Sequence, residues 1–169
     1  EADNYKAAKN FKTTAVTGRA GHTLPLDEVG STAYKSRNHS LGFALKGGNH
    51  LVEAKLDYQD IPYELYPNQR MDLLGNTRRS FNLRYLGQLD WGTLEARAYH
   101  EKVEHTMDFG ADKQLLYGGL PGMPMNTEGK TTGAMLKASI DLGKQGVLRL
   151  GGEFQRYELD DWWPPVVGS

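Results

Sequence analysis

Apolar and polar residues alternate with a period of two over much of the chain, the signature of half-buried strands. The clearest run is His50 to Tyr58. Val52, Ala54, Leu56 and Tyr58 share one face, and Glu53, Lys55 and Asp57 share the other. Ser80 to Leu89 repeats the pattern. Phe81, Leu83 and Tyr85 oppose Asn82, Arg84 and Gln88, with Leu86 as an apolar intruder on the polar face. Leu94, Ala96 and Ala98 oppose Glu95 and Arg97. Ala134, Leu136, Ala138 and Ile140 oppose Lys137, Ser139 and Asp141. Leu148, Leu150, Gly152 and Phe154 oppose Arg149, Glu153 and Gln155. Leu41, Phe43 and Leu45 mark a further strand, and a weaker one is expected near Tyr5 to Val16. The pattern predicts about seven strands of about 8–12 residues, and no helix.

The connections alternate in length. Lys46-Gly47-Gly48-Asn49, Leu89-Asp90-Trp91-Gly92 and Leu142-Gly143-Lys144-Gln145-Gly146 read as tight turns, each with glycine where a positive φ is needed. Between them run long connections, near Thr17 to Lys35, Ile61 to Arg78 and Asp108 to Lys130. Short turns on one side and long loops on the other describe an up-and-down antiparallel meander. Outer-membrane barrels have this plan, and a tilted strand needs about 9–11 residues to cross a bilayer. Tyr58, Tyr63, Trp91, Tyr157, Trp162 and Trp163 fall near strand ends, where interfacial girdles form. The expected fold is all-β, a segment of a large transmembrane barrel with a polar lumen.

Composition narrows the alternatives. The chain has 169 residues, a length that suits one domain, and no cysteine. A disulfide scaffold and a cysteine nucleophile or ligand are therefore excluded. No apolar run approaches the ~20 residues of a membrane helix. Twenty Lys and Arg against 21 Asp and Glu give a net charge of −1, which argues against nucleic acid as a partner. The start at Glu1-Ala2-Asp3 and the loop-like end at Pro164-Pro165-Val166-Val167-Gly168-Ser169 suggest a piece of a longer polypeptide. An odd strand count points the same way, because single-chain bacterial barrels have even counts and open edges are not viable in lipid.

Three stretches carry a resemblance: Tyr58-Gln59-Asp60-Ile61-Pro62-Tyr63, Pro67-Asn68-Gln69-Arg70-Met71-Asp72 and Leu159-Asp160-Asp161-Trp162-Trp163-Pro164-Pro165. Through them nearly the whole chain, residues 1–169, resembles the barrel portion of TonB-dependent outer-membrane receptors, most of all the copper-receptor branch. The resemblance implies a ~22-stranded barrel with a plug in its lumen. It implies uptake of a metal ion or a metal chelate, such as a siderophore complex, driven by the TonB complex through the plug. The plug and the other strands are missing from these residues. It also implies the bacterial outer membrane, with its lipid as a partner, and no enzyme activity or resident cofactor. Copper would then be a transported substrate.

His105-Thr106-Met107-Asp108 resembles a His-x-Met-Asp element of the copper receptors, in which His and Met bind copper. Thioether with imidazole suits Cu(I). On the strand starting near Thr93, the odd positions carry Glu95, Arg97 and Tyr99. Without a bulge, His105 and Met107 share that lumen-facing parity near the outer mouth. Met123 and Met125, in Gly122-Met123-Pro124-Met125, are placed in a long outer loop, as further soft ligands or as loop packing stiffened by Pro124.

Other chemistry finds no footing. Gly129-Lys130-Thr131 would need an upstream glycine for a P-loop, and Pro124 stands there. No G-x-S-x-G, H-E-x-x-H or EF-hand loop is present. Glu95 and Arg97 read as cross-strand ion pairs filling a polar lumen. The main rival is a soluble, lipocalin-like β-meander that binds a small ligand, with its apolar faces turned inward. A second rival, an enzyme within an outer-membrane barrel, would need a converging nucleophile and base.

Overall fold

The computed structural model describes residues 1–6, 28–110, 113 and 122–166. Two short strands, β1 (Tyr5–Lys6) and β2 (Glu28–Val29), pair with each other. Six long strands form one antiparallel sheet: β3 (Tyr34–Gly47), β4 (His50–Glu64), β5 (Asp72–Leu89), β6 (Gly92–Asp108), β7 (Met125–Asp141) and β8 (Val147–Trp162). Their spatial order is their sequence order. The chain is thus an all-β, up-and-down meander, as the alternation predicts. Of the weak first strand, only Tyr5–Lys6 is seen, and the remainder of Tyr5 to Val16 lies outside the described residues.

The tight turns fall where glycine allows them. Gly48 takes a φ of 54° in the Gly48-Asn49 turn between β3 and β4. Asp90-Trp91 joins β5 to β6, and a 3₁₀ turn at Gly143–Gln145 joins β7 to β8. At Gly92, φ is 138° and an added Cβ would stand 1.9 Å from the Ser139 carbonyl oxygen. Both the backbone geometry and the neighbouring strand therefore demand glycine. Gly92→Ala is expected to destabilise the folded protein by about 1–3 kcal/mol. Gly47→Ala, with open space around it, should not. Denaturant midpoints of the two variants check this.

The strands are longer than the alternation suggests, at 14 to 18 residues. Pairing continues in register well past the apolar stretch, because ladder hydrogen bonds do not depend on side-chain hydropathy. Two long connections shrink accordingly. β4 runs to Glu64 and β5 begins at Asp72, so the Ile61 to Arg78 loop reduces to residues 65–71. β7 begins at Met125, not near Lys130.

Register turns the strand patterns into sheet faces, since directly paired residues point to the same side. One row reads Phe43, Ala54, Leu83, Ala98, Ala134 and Phe154. The next reads Leu45, Val52, Tyr85, Ala96, Leu136 and Gly152. On β5 the apolar face spans Phe81 to Leu89. At the usual strand rise and barrel tilt, that is about 20 Å of height, close to the ~25 Å apolar band of outer-membrane barrels. The side chains are large and uncovered: Phe43 is 61% exposed, Leu136 54% and Phe154 63%.

The opposite face is a charged lattice. The Arg84 guanidinium reaches Glu53 at 2.9 Å and Glu95 at 2.8 Å, linking β4, β5 and β6. Arg78 pairs with Glu101 at 2.6 Å. Glu95 forms the cross-strand ion pair expected of it, with Arg84 diagonally across the β5–β6 ladder. Among the described residues, Arg97 does not pair with a carboxylate. Arg97 lies over the Tyr99 ring at 5.3 Å and donates to Asn82 at 3.3 Å. Tyr99 in turn covers Gly133, where a Cβ would come within 2.2 Å of the ring. Leu86 has a partner on this face in Leu51, directly across the β4–β5 ladder.

The aromatic girdle needs correction. Tyr58 and Trp91 do fall at opposite ends of the apolar band. Tyr63 and Tyr157 instead share the polar face, with Gln59 and with Thr131 respectively. Trp162 pairs with Asn126, far beyond the band. The turn end gains His50 and Tyr85, stacked with centroids 6.0 Å apart and joined at 2.8 Å between His50 Nδ1 and the Tyr85 hydroxyl.

Candidate metal centre

β6 runs unbroken against β7 as far as His105↔Thr127, Thr106↔Asn126 and Met107↔Met125. His105 and Met107 therefore share one face of the sheet, the polar one, with Tyr99 and Glu101. The nearby bulge falls on β5, between Leu73 and Gly75, and leaves this parity intact. Among the described residues, no hydrogen bond or ion pair engages the His105 ring.

Met125 is not a loop residue. It opens β7 and stands directly opposite Met107. Directly opposed side chains have Cβ atoms about 5 Å apart, and alternate residues on one strand stand about 7 Å apart. His105, Met107 and Met125 thus form a triangle of one imidazole and two thioethers that side-chain rotation can bring around a single ion. All three are half-buried. This set of donors suits a soft monovalent ion such as Cu(I). Acidic or histidine-rich clusters that could hold a harder ion are not found among the described residues.

Met123 stays in the connection, but Asp108 fastens it. The Asp108 carboxylate accepts the Met123 N–H at 2.6 Å and the Phe109 N–H at 2.7 Å. A Cβ on Gly122 would come 3.0 Å from the same oxygen. Asp108 therefore ties the returning chain against the end of β6, close to Met107. The His-x-Met-Asp pattern by itself assigns Asp108 no role. The available signal was an Asp at a strand end, a residue type that captures nearby backbone N–H groups.

Beneath this loop lies a buried charge pair. Asp72, fully buried, is the register partner of Asp108 and accepts the Tyr66 N–H at 2.8 Å. The Lys113 ammonium, 1% exposed, donates to the Tyr66 carbonyl at 2.6 Å and stands 4.0 Å from Asp72. An added Cβ on Gly110 would collide with Asp72. Burial pushes the Tyr66 phenol up, and Glu64 beside it adds to the shift. These contacts brace the ends of β5 and β6 and so hold the platform on which His105 and Met107 stand.

No family model and no curated protein sequence matches the chain. Among solved structures, it is similar to one described as "Copper transporter OprC", with a TM-score of 0.68, 21% sequence identity and 87% of this chain covered. The chain spans 22% of that transporter's length. At this identity the likeness is one of fold: six consecutive strands of an antiparallel meander match a stretch of a much larger β protein.

Proposed function

We propose that the chain is a stretch of the transmembrane barrel of a TonB-dependent outer-membrane receptor that takes up copper. In this reading the apolar face meets lipid, the charged face lines the lumen, and the short turns face the periplasm. The charged lattice docks a plug supplied by other parts of the polypeptide, through which the TonB complex delivers energy. β3 and β8 are edges of the six-stranded sheet and would pair with the remaining strands of the barrel, since unpaired edges are not viable in lipid. The reading assigns no catalysis to the chain.

The fold likeness to a copper transporter supports the transport class. The observation that carries the choice of substrate is the convergence of His105, Met107 and Met125 on the lumen-facing side near the outer end of the sheet. Copper bound there is cargo, held by soft donors until the plug or a further site takes it. A site of three weak, movable ligands suits capture followed by release better than permanent retention.

The test uses the full-length receptor in detergent. His105→Ala with Met107→Ala is expected to weaken Cu(I) binding by at least about 10–100-fold, the loss that even supporting groups around a metal produce. Met125→Leu alone is expected to weaken it by about 10-fold while leaving the fold intact. Unchanged Cu(I) binding in the double variant ends the copper reading.

A further inference from the structure

The outward, apolar face carries a feature that transport does not use. At its upper margin is a groove of about 580 Å³, floored by Leu41, Leu56 and Phe81 and flanked by Tyr58, Arg79 and His100. Register explains why these residues meet. Leu41, Leu56, Phe81 and His100 form one row, and Tyr58 and Arg79 are adjacent in the next row outward. The floor is uncovered, with Leu41 53% exposed, Leu56 49% and Phe81 40%.

The cations at this level are not equivalent. Lys102 is held by Glu104 at 2.8 Å and by Glu128 at 2.9 Å. Lys130 pairs with Glu128, and Arg156 with Glu158 at 2.5 Å. Asp60, the nearest carboxylate on this face of β4, is taken by Arg37 at 2.9 Å. Arg79 is exposed and has no hydrogen-bond or ion-pair partner among the described residues. His100 shares a hydrogen bond with the Thr132 hydroxyl through its Nδ1 at 2.7 Å. A free guanidinium thus stands where apolar surface gives way to polar surface, with an aromatic hydroxyl beside it.

That sequence of chemistries matches one ligand class. An acyl chain covers Leu56 and Phe81, while a phosphate at the chain's head meets the planar donor fork of Arg79, with Tyr58 at the boundary. We propose that this groove is a binding site for a phosphate-bearing, acylated lipid of the outer leaflet. The inference rests on the outward orientation of the apolar face in the proposed function.

The experiment uses the full-length receptor in neutral detergent, with native mass spectrometry to count bound lipid. The probes are dioleoyl phosphatidic acid, dioleoylglycerol and inorganic phosphate. Wild-type protein is expected to prefer phosphatidic acid over dioleoylglycerol by at least ~10-fold, or about 1.4 kcal/mol. Arg79→Gln should abolish that preference, while Arg149→Gln on the polar face should preserve it. Equal binding of the two lipids overturns the proposal, as does a preference that survives Arg79→Gln. Full displacement of phosphatidic acid by an equal concentration of inorganic phosphate also overturns it, because the site would then recognise an anion and no lipid. Failure of the underlying orientation would show differently: the receptor would be monodisperse in plain buffer without detergent.

Discussion

With the apolar face turned to lipid, as proposed, Leu83→Arg is expected to destabilise the full-length protein by about 2–4 kcal/mol, the cost of a cation near the bilayer midplane. Leu83 is in the central part of β5, flanked by Ala54 and Ala98 on the apolar face. An arginine there has no carboxylate in reach and must lose its hydration or distort the bilayer around it. Ser80→Arg, three positions along the same strand, tests sidedness. Ser80 lies on the polar face directly between Asp57 and Glu101. An arginine at that position gains two carboxylate neighbours and should stay within about 0.5 kcal/mol of wild type. Urea unfolding in lipid vesicles measures both. A neutral Leu83→Arg overturns the lipid-facing assignment. A water-soluble sheet that buried the same face in a protein core would also suffer from Leu83→Arg, but it would stay monodisperse without detergent.

The second large effect concerns the loops that brace the candidate metal centre. Removing one partner of a buried ion pair leaves the other charge uncompensated, at about 3–5 kcal/mol. Lys113→Ala does this to Asp72, since both side chains are almost fully buried and the ammonium also holds the Tyr66 carbonyl. The strands below are paired independently of this contact, so the loss should appear as local opening, not global unfolding. Hydrogen exchange should accelerate at the amides of Tyr66 and Phe109 and stay slow in the middle of β5 and β6. Lys113→Met combined with Asp72→Asn should recover much of the protection, because a neutral pair carries no stranded charge. Unchanged exchange in Lys113→Ala would show that the pair does not brace the loops.

The candidate centre was partly legible. His105 and Met107 share a face by simple parity, and β6 has no bulge to disturb it. Met125 was not legible as their neighbour. Its approach depends on where β7 begins, and the segment Met125 to Lys130 has no hydrophobic alternation to announce a strand. Backbone pairing with β6 extends the strand there regardless of side chains. Asp108 and the Asp72–Lys113 pair were hidden for a related reason. Their partners are backbone N–H and carbonyl groups of loops, and sequence does not say which loop folds back onto which strand end. The free guanidinium of Arg79 is a tertiary fact as well. Arg78 beside it has the same chemistry but opposite parity, and is spent on Glu101.

What the sequence determined by itself is the all-β class, the meander, the three tight turns and the identity of the two faces. Each follows from local physics: a side-chain period of two, and glycine where φ must be positive. What only the tertiary structure decided is how far each strand extends, which charges pair and which donors converge. Those outcomes depend on register between strands that are distant in sequence, as when Arg84 of β5 reaches Glu53 of β4 and Glu95 of β6 at once. A period of two fixes the side on which a residue points, but only the ladder of backbone hydrogen bonds fixes what stands opposite it.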